Sequence, residues 1–476
     1  MQEHIPLELV LTSKITTMIN PIKYTLILSV LVFFSSCSKL DLKPTDTIDA
    51  EKAYRNMNDV NLGLIGVYSQ LNDALIGVNA IISDEVMLPA ENTVSNTDAH
   101  RWLYTADNGS VTDSYYRYYV AVDRANRVLA GLDKITVSAA DMAARDLYRG
   151  ELLALRAFCH FELLRMYGSA YQNGGLGVPY MKVSAISYPG RDRFEVVIAN
   201  VKADLLAAKA LIPLSFDDKT RVTKLAVSAM QARLALYEKN WSEAITYATE
   251  VINSMPLATA EQFPDIWTDV SDNEVIWKLK RVGDDPKTGD LFYRQSGNIV
   301  LYAPSFKLIN SFDKVNDIRY TAYIRFDNTR GTKKSEYLVN KYPGTALAPG
   351  LSDIKMFRTG EMFLIRAEAE AETTGDATGD LNALRAARIK NYSPVSFAGK
   401  DDLISAVYTE RFKELAFEGH RFFDLKRRNL PVQRLPEDAA NTSGAVQLLP
   451  AQAQYALPIP ALEISVNKNT FQNPYY

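Results

Sequence analysis

Three carboxylates, Glu410, Glu414 and Glu418, follow one another at intervals of four, with His420 just beyond them, in the stretch 409–428. Steps of four put side chains on one face of a helix, so these are residue types that acid–base catalysis employs. A glycosidase, however, needs two carboxylates opposed across a cleft, roughly 5 to 9.5 Å apart. Carboxylates in file along one helix supply no such pair. They also have cations at helical spacing: Arg411 for Glu414, Arg421 for Glu418, and Arg428 for Asp424. Tyr408, Phe412, Leu415, Ala416 and Phe423 recur at steps of three, four and seven and mark an apolar face. The stretch reads as one helix that acts as a structural clasp, and no catalytic residue is assigned. The four histidines, at 4, 100, 160 and 420, include no ligand-spaced pair, so neither a metal site nor a cofactor is expected. Phosphate loops and nucleophile elbows are absent as motifs.

Sugar recognition asks for something else: aromatic faces against the C–H faces of a pyranose, with Asp, Asn or Arg to bond its hydroxyls. Two stretches hold that mixture. Residues 84–104 contain Asp84, Asn92, Arg101, Trp102 and Tyr104, and residues 289–302 contain Phe292, Tyr293 and Tyr302. These eight are the candidate ligand-binding residues. The competing reading is that Trp102 and Tyr302 pack onto the body of the fold, as large aromatics commonly do. Trp241, Trp267 and Trp277 sit beside repeat or strand patterns and are assigned to the core. The chain has 26 Tyr and 19 Phe against 4 Trp, a supply that suits sugar faces and helical cores alike. With 53 basic and 56 acidic residues and a net charge of −3, it shows no basic surplus for a nucleic-acid partner.

The elements that would position these residues are mostly helices. At the front, Lys23 precedes an apolar run at 24–34 and then Ser35, Ser36 and Cys37. That order is expected of a secretory signal peptide over residues 1–36, with Met18 as an alternative start. The run is far short of the roughly 20 residues that span a bilayer. Cys37 is placed for lipid attachment, with residues 37–49 as a polar tether. Its loss to the lipid would leave Cys159 alone, an inert buried thiol in a domain without a disulfide.

A single domain is expected over residues 50–476. Helices are read at 50–71, 114–132 and 141–167, with a long loop region over 79–113. Ala232, Ala244 and Pro256 are spaced by twelve and twelve, the interval of small and proline positions in a tetratricopeptide repeat. Repeat-like pairs are expected near 141–212, 222–256 and 361–392. A loop- and strand-rich insertion fills 257–355, with strand-like alternation at 274–279 and 334–341. A tail from 431 lies on the helical body. The fold class is therefore mainly α: a tetratricopeptide-like scaffold of helical pairs with loop-rich insertions and a few short strands.

In this order the pieces resemble the SusD/RagB-like outer-membrane lipoproteins of Bacteroidetes. The resemblance rests on Cys37 with Leu40-Asp-Leu-Lys-Pro44, Arg124-Ala-Asn126, Gly150-Glu-Leu-Leu-Ala-Leu-Arg-Ala157, and Pro304-Ser-Phe-Lys-Leu308 with Asp317-Ile-Arg319. It continues through Met362-Phe-Leu-Ile-Arg-Ala-Glu-Ala369, Glu410 to Arg421 with Phe423-Asp-Leu425, and Pro458-Ile-Pro460 with Gln472-Asn-Pro474. It implies a non-enzymatic protein on the outside of the outer membrane, held by lipid on Cys37, that binds glycans. It also implies delivery of the glycan to a partner, a TonB-dependent SusC-like transporter. Two other classes stand beside this reading: a lipid-anchored helical-repeat protein that binds peptide or protein, and, last, a surface glycoside hydrolase. Which glycan is bound does not transfer with the family.

Overall fold

The structure is a computed structural model and describes residues 53–373 and 377–476. The expected signal peptide, Cys37 and the tether lie outside the described residues. Residues Tyr54–Tyr476 form one compact unit. Among the described residues no helix is long and apolar enough to cross a membrane.

Numbering the longer helices in chain order, α1 is Met57–Tyr68, α2 Ala74–Ile82, α3 Gly109–Leu132, α4 Met142–Tyr167 and α5 Phe194–Leu211. They continue as α6 Lys224–Glu238, α7 Trp241–Ser254, α8 Thr359–Thr373, α9 Thr378–Arg388, α10 Lys400–Glu414 and α11 Arg421–Arg427. Short polar side chains start several of them. Asn56, Asn108, Thr223 and Asn240 each accept a backbone N–H of the first turn of α1, α3, α6 and α7, satisfying donors that the helix itself leaves open. Helices pack on their neighbours in sequence, α3 on α4, α4 on α5 and α6 on α7, and α8 then bridges α7 and α10. Ala232 and Ala244, the alanines at the spacing of twelve, are fully buried, as is Ala248, on two helices packed against each other, whereas Pro256 is exposed. The mainly helical, tetratricopeptide-like scaffold expected from the sequence is the fold observed.

Two differences have local causes. The stretch 409–428 is two helices, not one. α10 stops at Glu414, and Phe417 and Gly419 both take positive φ, 64° and 83°, before α11 begins. Gly419 suits this turn twice, because a Cβ there would also lie 3.2 Å from Leu75 Cγ. The region 79–113 is not one long loop. α2 runs into it to Ile82 and is buried almost all round, which removes the polar–apolar alternation that would mark it as a helix.

Strands are short and paired in twos. Val275–Leu279 runs antiparallel to Ile354–Arg358, and Ile324–Phe326 to Tyr337–Val339. Trp277 and Trp267 lie in the core with about 1% exposure or less, as assigned from the sequence. Cys159 is likewise buried, and burial pushes its thiol well above the usual range.

Candidate functional site

The two stretches with sugar-binding composition, 84–104 and 289–302, are far apart in the chain, and the fold joins them edge to edge. Val86–Met87 pairs antiparallel with Ala303–Pro304, Val86 opposite Pro304. Polar side chains extend the seam. Asn92 Nδ2 donates to the Leu301 carbonyl at 2.8 Å and to that of Ser95 at 3.1 Å. The Tyr302 hydroxyl donates to Ser95 O at 2.8 Å, and Ser305 Oγ donates to Asp84 O at 2.8 Å.

Most candidate side chains are used up in building that seam. Asp84 is fully buried and paired with Lys307 Nζ at 2.6 Å and Arg421 Nε at 2.6 Å. Burial alone would raise its carboxyl, but the two cations prevail and hold it down at about 2. Trp102, at 7% exposure, adopts φ 57°, donates its indole N–H to Ile82 O at 2.9 Å, and carries the Arg434 guanidinium 4.0 Å from its ring centre. Tyr104 is buried with its hydroxyl on the Gln454 carbonyl. Phe292 stacks parallel to Tyr342 beneath the loops. Tyr302 lies at 1% exposure against His100, their ring centres 5.6 Å apart. The packing reading therefore describes Asp84, Asn92, Trp102, Tyr104, Phe292 and Tyr302 in this conformation: a ligand arriving from solvent meets none of their side chains. Arg101 and Tyr293 alone of the eight are half-exposed. Arg101 donates to Asn441 O at 3.2 Å, and the Tyr293 hydroxyl donates to Asn298 Oδ1 at 2.7 Å.

What the seam presents to solvent is a rim that composition did not single out. Ile324–Phe326 and Tyr337–Val339 form a hairpin in which Phe326 faces Tyr337 with ring centres 5.0 Å apart, and Phe326 is 51% exposed. The hairpin's other side, at Leu338, closes on Val300 and Ala303, with Tyr293 packed against them. Arg330 locks the loops together. It pairs with both oxygens of Glu91 at 3.0 and 3.1 Å and donates to Ser335 O at 2.6 Å and Asn298 O at 2.7 Å. Its guanidinium also lies 5.8 Å from the Tyr293 ring centre. A bidentate, nearly buried Arg–carboxylate pair fixes geometry as well as charge. The resulting rim offers the exposed Phe326 ring with the half-buried Tyr337 and Tyr293 beside it, the exposed amide of Asn298, and the Lys334 ammonium, which donates to Asn298 O at 2.8 Å. Such a surface can stack on a ring and exchange hydrogen bonds with hydroxyls. The sequence clue was present in the two aromatics flanking the Asp327–Gly331 turn, but only the pairing register brings them face to face.

The carboxylates of 409–428 are elsewhere and are occupied by long-range partners, not by the intrahelical ones the spacing suggested. Glu414 meets Arg319, Arg358 and Arg388 at 3.0 to 3.1 Å. Glu418 meets Lys341 and Arg358 at 2.6 and 2.7 Å. Arg411 binds Asp424, and Arg421 binds Asp84. Glu410 is fully buried; desolvation is outweighed by Arg319, Lys413 and Arg385, which hold its carboxyl at about 2. His420 is buried among cations and kept neutral, first by desolvation and then by Arg233 and Arg165. Among the described residues no group of acidic, histidine or cysteine side chains is arranged to hold a metal ion.

Comparison with known proteins agrees with this architecture. The family described as "SusD family" matches residues 318–476, and that described as "Starch-binding associating with outer membrane" matches residues 41–236. A SusD-like protein of Formosa agariphila is 23% identical over 490 residues, covering 87% of this chain and 92% of its own. A SusD superfamily crystal structure from Bacteroides thetaiotaomicron superposes with a TM-score of 0.78 at 21% identity, covering 88% of this chain and all of that one. A structure described as a laminarin-binding SusD-like protein superposes with a TM-score of 0.68 at 20% identity, covering 89% of this chain and all of the other. The two family matches, at both ends of the chain and in the same order as the motifs, and the whole-chain superpositions lead to one conclusion: this chain belongs to the SusD/RagB-like family.

Proposed function

We propose that the protein is a glycan-binding lipoprotein of the outer membrane, anchored through Cys37 and facing outward, that passes its ligand to a TonB-dependent SusC-like transporter. The observation that carries the binding part is the Phe326–Tyr337 ring pair, with Phe326 exposed and Tyr337 half-buried on a hairpin that Arg330 ties to both candidate loops. Membership of a family whose members are described as starch-binding or laminarin-binding supports a neutral glucan as the first ligand to try. Ligand contact is assigned to Phe326, Tyr337 and Tyr293, with Asn298 and Arg101 bonding hydroxyls. The seam residues Asp84, Asn92, Trp102, Tyr104, Phe292 and Tyr302 hold the loops in place. Binding without hydrolysis is favoured because the carboxylates of 409–428 are buried in ion pairs, out of reach of a glycosidic bond.

The test is calorimetric titration of the protein lacking residues 1–37 with laminari- and malto-oligosaccharides. Phe326→Ala and Tyr293→Ala should each weaken binding by roughly tenfold, the scale of one lost aromatic contact of about 1–1.5 kcal/mol. The melting temperature should be unchanged in Phe326→Ala and fall slightly in Tyr293→Ala, whose ring packs on Val300 and Leu338. Wild-type affinity in both variants would remove the rim from the site. No glycan binding on a broad array, with a transporter still co-purifying, would end the sugar assignment and leave the transport assignment standing.

A further inference from the structure

Five lysines are buried among the described residues: Lys278, Lys341, Lys355, Lys413 and Lys426. Four of them reach carboxylates, at Asp272 and Asp353, Glu418, Asp269, and Glu410 respectively. Lys426 reaches none. Its Nζ donates to the Gly168 carbonyl at 2.7 Å and stands 4.9 Å from the centre of the Tyr171 ring, which leaves donors of a buried ammonium without an acceptor. Arg434 and Arg191 also lack carboxylates, but carbonyls of several segments surround each of their guanidinium groups. A buried charge ordinarily has a partner, so Lys426 is the exception that asks for one.

The space beside it is a cavity of about 550 Å³, within the range of small-molecule sites. Lys426 lines it together with Lys239, Arg427, Arg428, Tyr171 and Tyr455, and no acidic side chain is in the wall. Arg427 and Arg428 are already paired, with Glu368, Asp424 and Glu372. Lys239, exposed at the end of α6 in a left-handed turn, has no carboxylate within ion-pair distance among the described residues. Four segments contribute, the end of α6, the end of α11, the loop after α4 and the tail near Pro450, and none of them belongs to the proposed glycan rim. The polar groups of Ser169, Gln172 and Asn429 complete the lining.

We infer that this cavity is a second binding site, and that it takes a small polyhydroxylated ligand bearing an oxyanion, a carboxylate or a sulfate ester, whose charge meets Lys426. The oxyanion supplies the partner Lys426 lacks, Lys239 approaches it from the open side, and the side-chain amides and the hydroxyl of the wall bond the ring hydroxyls. The site goes beyond the proposed glucan rim and does not depend on it.

Protonation of Lys426 sets the pH dependence. Burial, then the charge of Arg191, lowers its pKa to about 7 in the empty cavity. The other charged or titratable groups lining the cavity are Arg427, Arg428, Lys239, Tyr171 and Tyr455. None of them is an anion at neutral pH. Binding is therefore strongest below neutrality and falls as the ammonium is lost on going to about pH 9.

The experiment is titration of the protein lacking residues 1–37 with glucuronate, galactose 6-sulfate, inorganic sulfate and glucose at fixed ionic strength. The two charged sugars should bind at least about tenfold more tightly than glucose, the worth of one charge-assisted contact. Lys426→Met should remove that margin while laminari-oligosaccharide binding and near-ultraviolet dichroism stay as they are. If Lys426→Met does not fold, Lys239→Ala on the exposed side should still weaken glucuronate by about threefold through loss of a solvent-screened charge. Equal binding of glucuronate and glucose overturns the inference. So does binding of inorganic sulfate without either charged sugar, or full glucuronate affinity in Lys239→Ala.

Discussion

Beside Asp84, Glu85 shows what the same burial does without a direct ion pair. Its Oε2 accepts the Phe417 N–H at 3.3 Å and its Oε1 has no partner. Burial first, and the neighbouring Asp84 charge after it, lift its pKa from 4.5 to about 8. A carboxyl raised in the native state favours folding fully below its unfolded value, and that contribution is lost as pH climbs from about 4.5 through 8. Glu85→Gln, neutral at every pH, should flatten the decline of melting temperature between about pH 5 and pH 9, amounting to a few kcal/mol at the alkaline end. Parallel declines in the two proteins would show that Glu85 is not the cause. Residue types alone do not foretell this pair: adjacent acids in a polar stretch read as exposed hydroxyl-binding groups. Arg421 and Lys307, which bury Asp84, lie far along the chain. Trp102 was opaque for the same reason, since Arg434 and the Ile82 carbonyl that hold its ring down are invisible from its own neighbourhood.

At the scale of elements, the seam depends on very few bonds. Two residue pairs form the strand contact, so the side chain of Asn92, joining Ser95 to Leu301, carries much of the remaining connection. Asn92→Ala should cost about 1–3 kcal/mol of local stability. It should speed amide exchange over residues 90–104 and 299–303 and weaken glycan binding by severalfold, without a shift in exchange along α4 and α6. Uniform acceleration throughout the chain would make the effect global and the seam no separate unit. The helices themselves were readable in advance, because Ala232 and Ala244 reveal a close crossing by size alone. The division of 409–428 was not, because Phe417 adopts a left-handed conformation that nothing in its type announces.

Across the whole molecule, charge does the joining that disulfides do elsewhere. Arg358 reaches Glu274, Glu414 and Glu418, and Arg388 reaches Glu274 and Glu414. The end of the 257–355 insertion, α9 and α10 are thereby tied into one buried lattice. Glu414→Ala would leave three arginines short of a partner, and removing one member of a buried pair costs about 3–5 kcal/mol. The expected outcome is a large fall in melting temperature, with glycan affinity of the folded fraction unchanged. A large affinity loss at full stability would instead place Glu414 in the binding machinery.

The link between Asp84 and Arg421 spans 337 positions, and that between His100 and Arg434 spans 334. A chain made from its N-terminus forward carries residues 81–104 long before their closing partners exist. Early helices such as α3 and α4 mature from local contacts, whereas closing so distant a loop is slow. Residues 81–104 are therefore among the last parts of the protein to become native. A chain halted before residue 421 lacks the Arg421 half of the Asp84 pairing, and one halted before residue 434 still leaves the Ser83 and His100 carbonyls without Arg434, so residues 81–104 stay loose until synthesis is nearly complete.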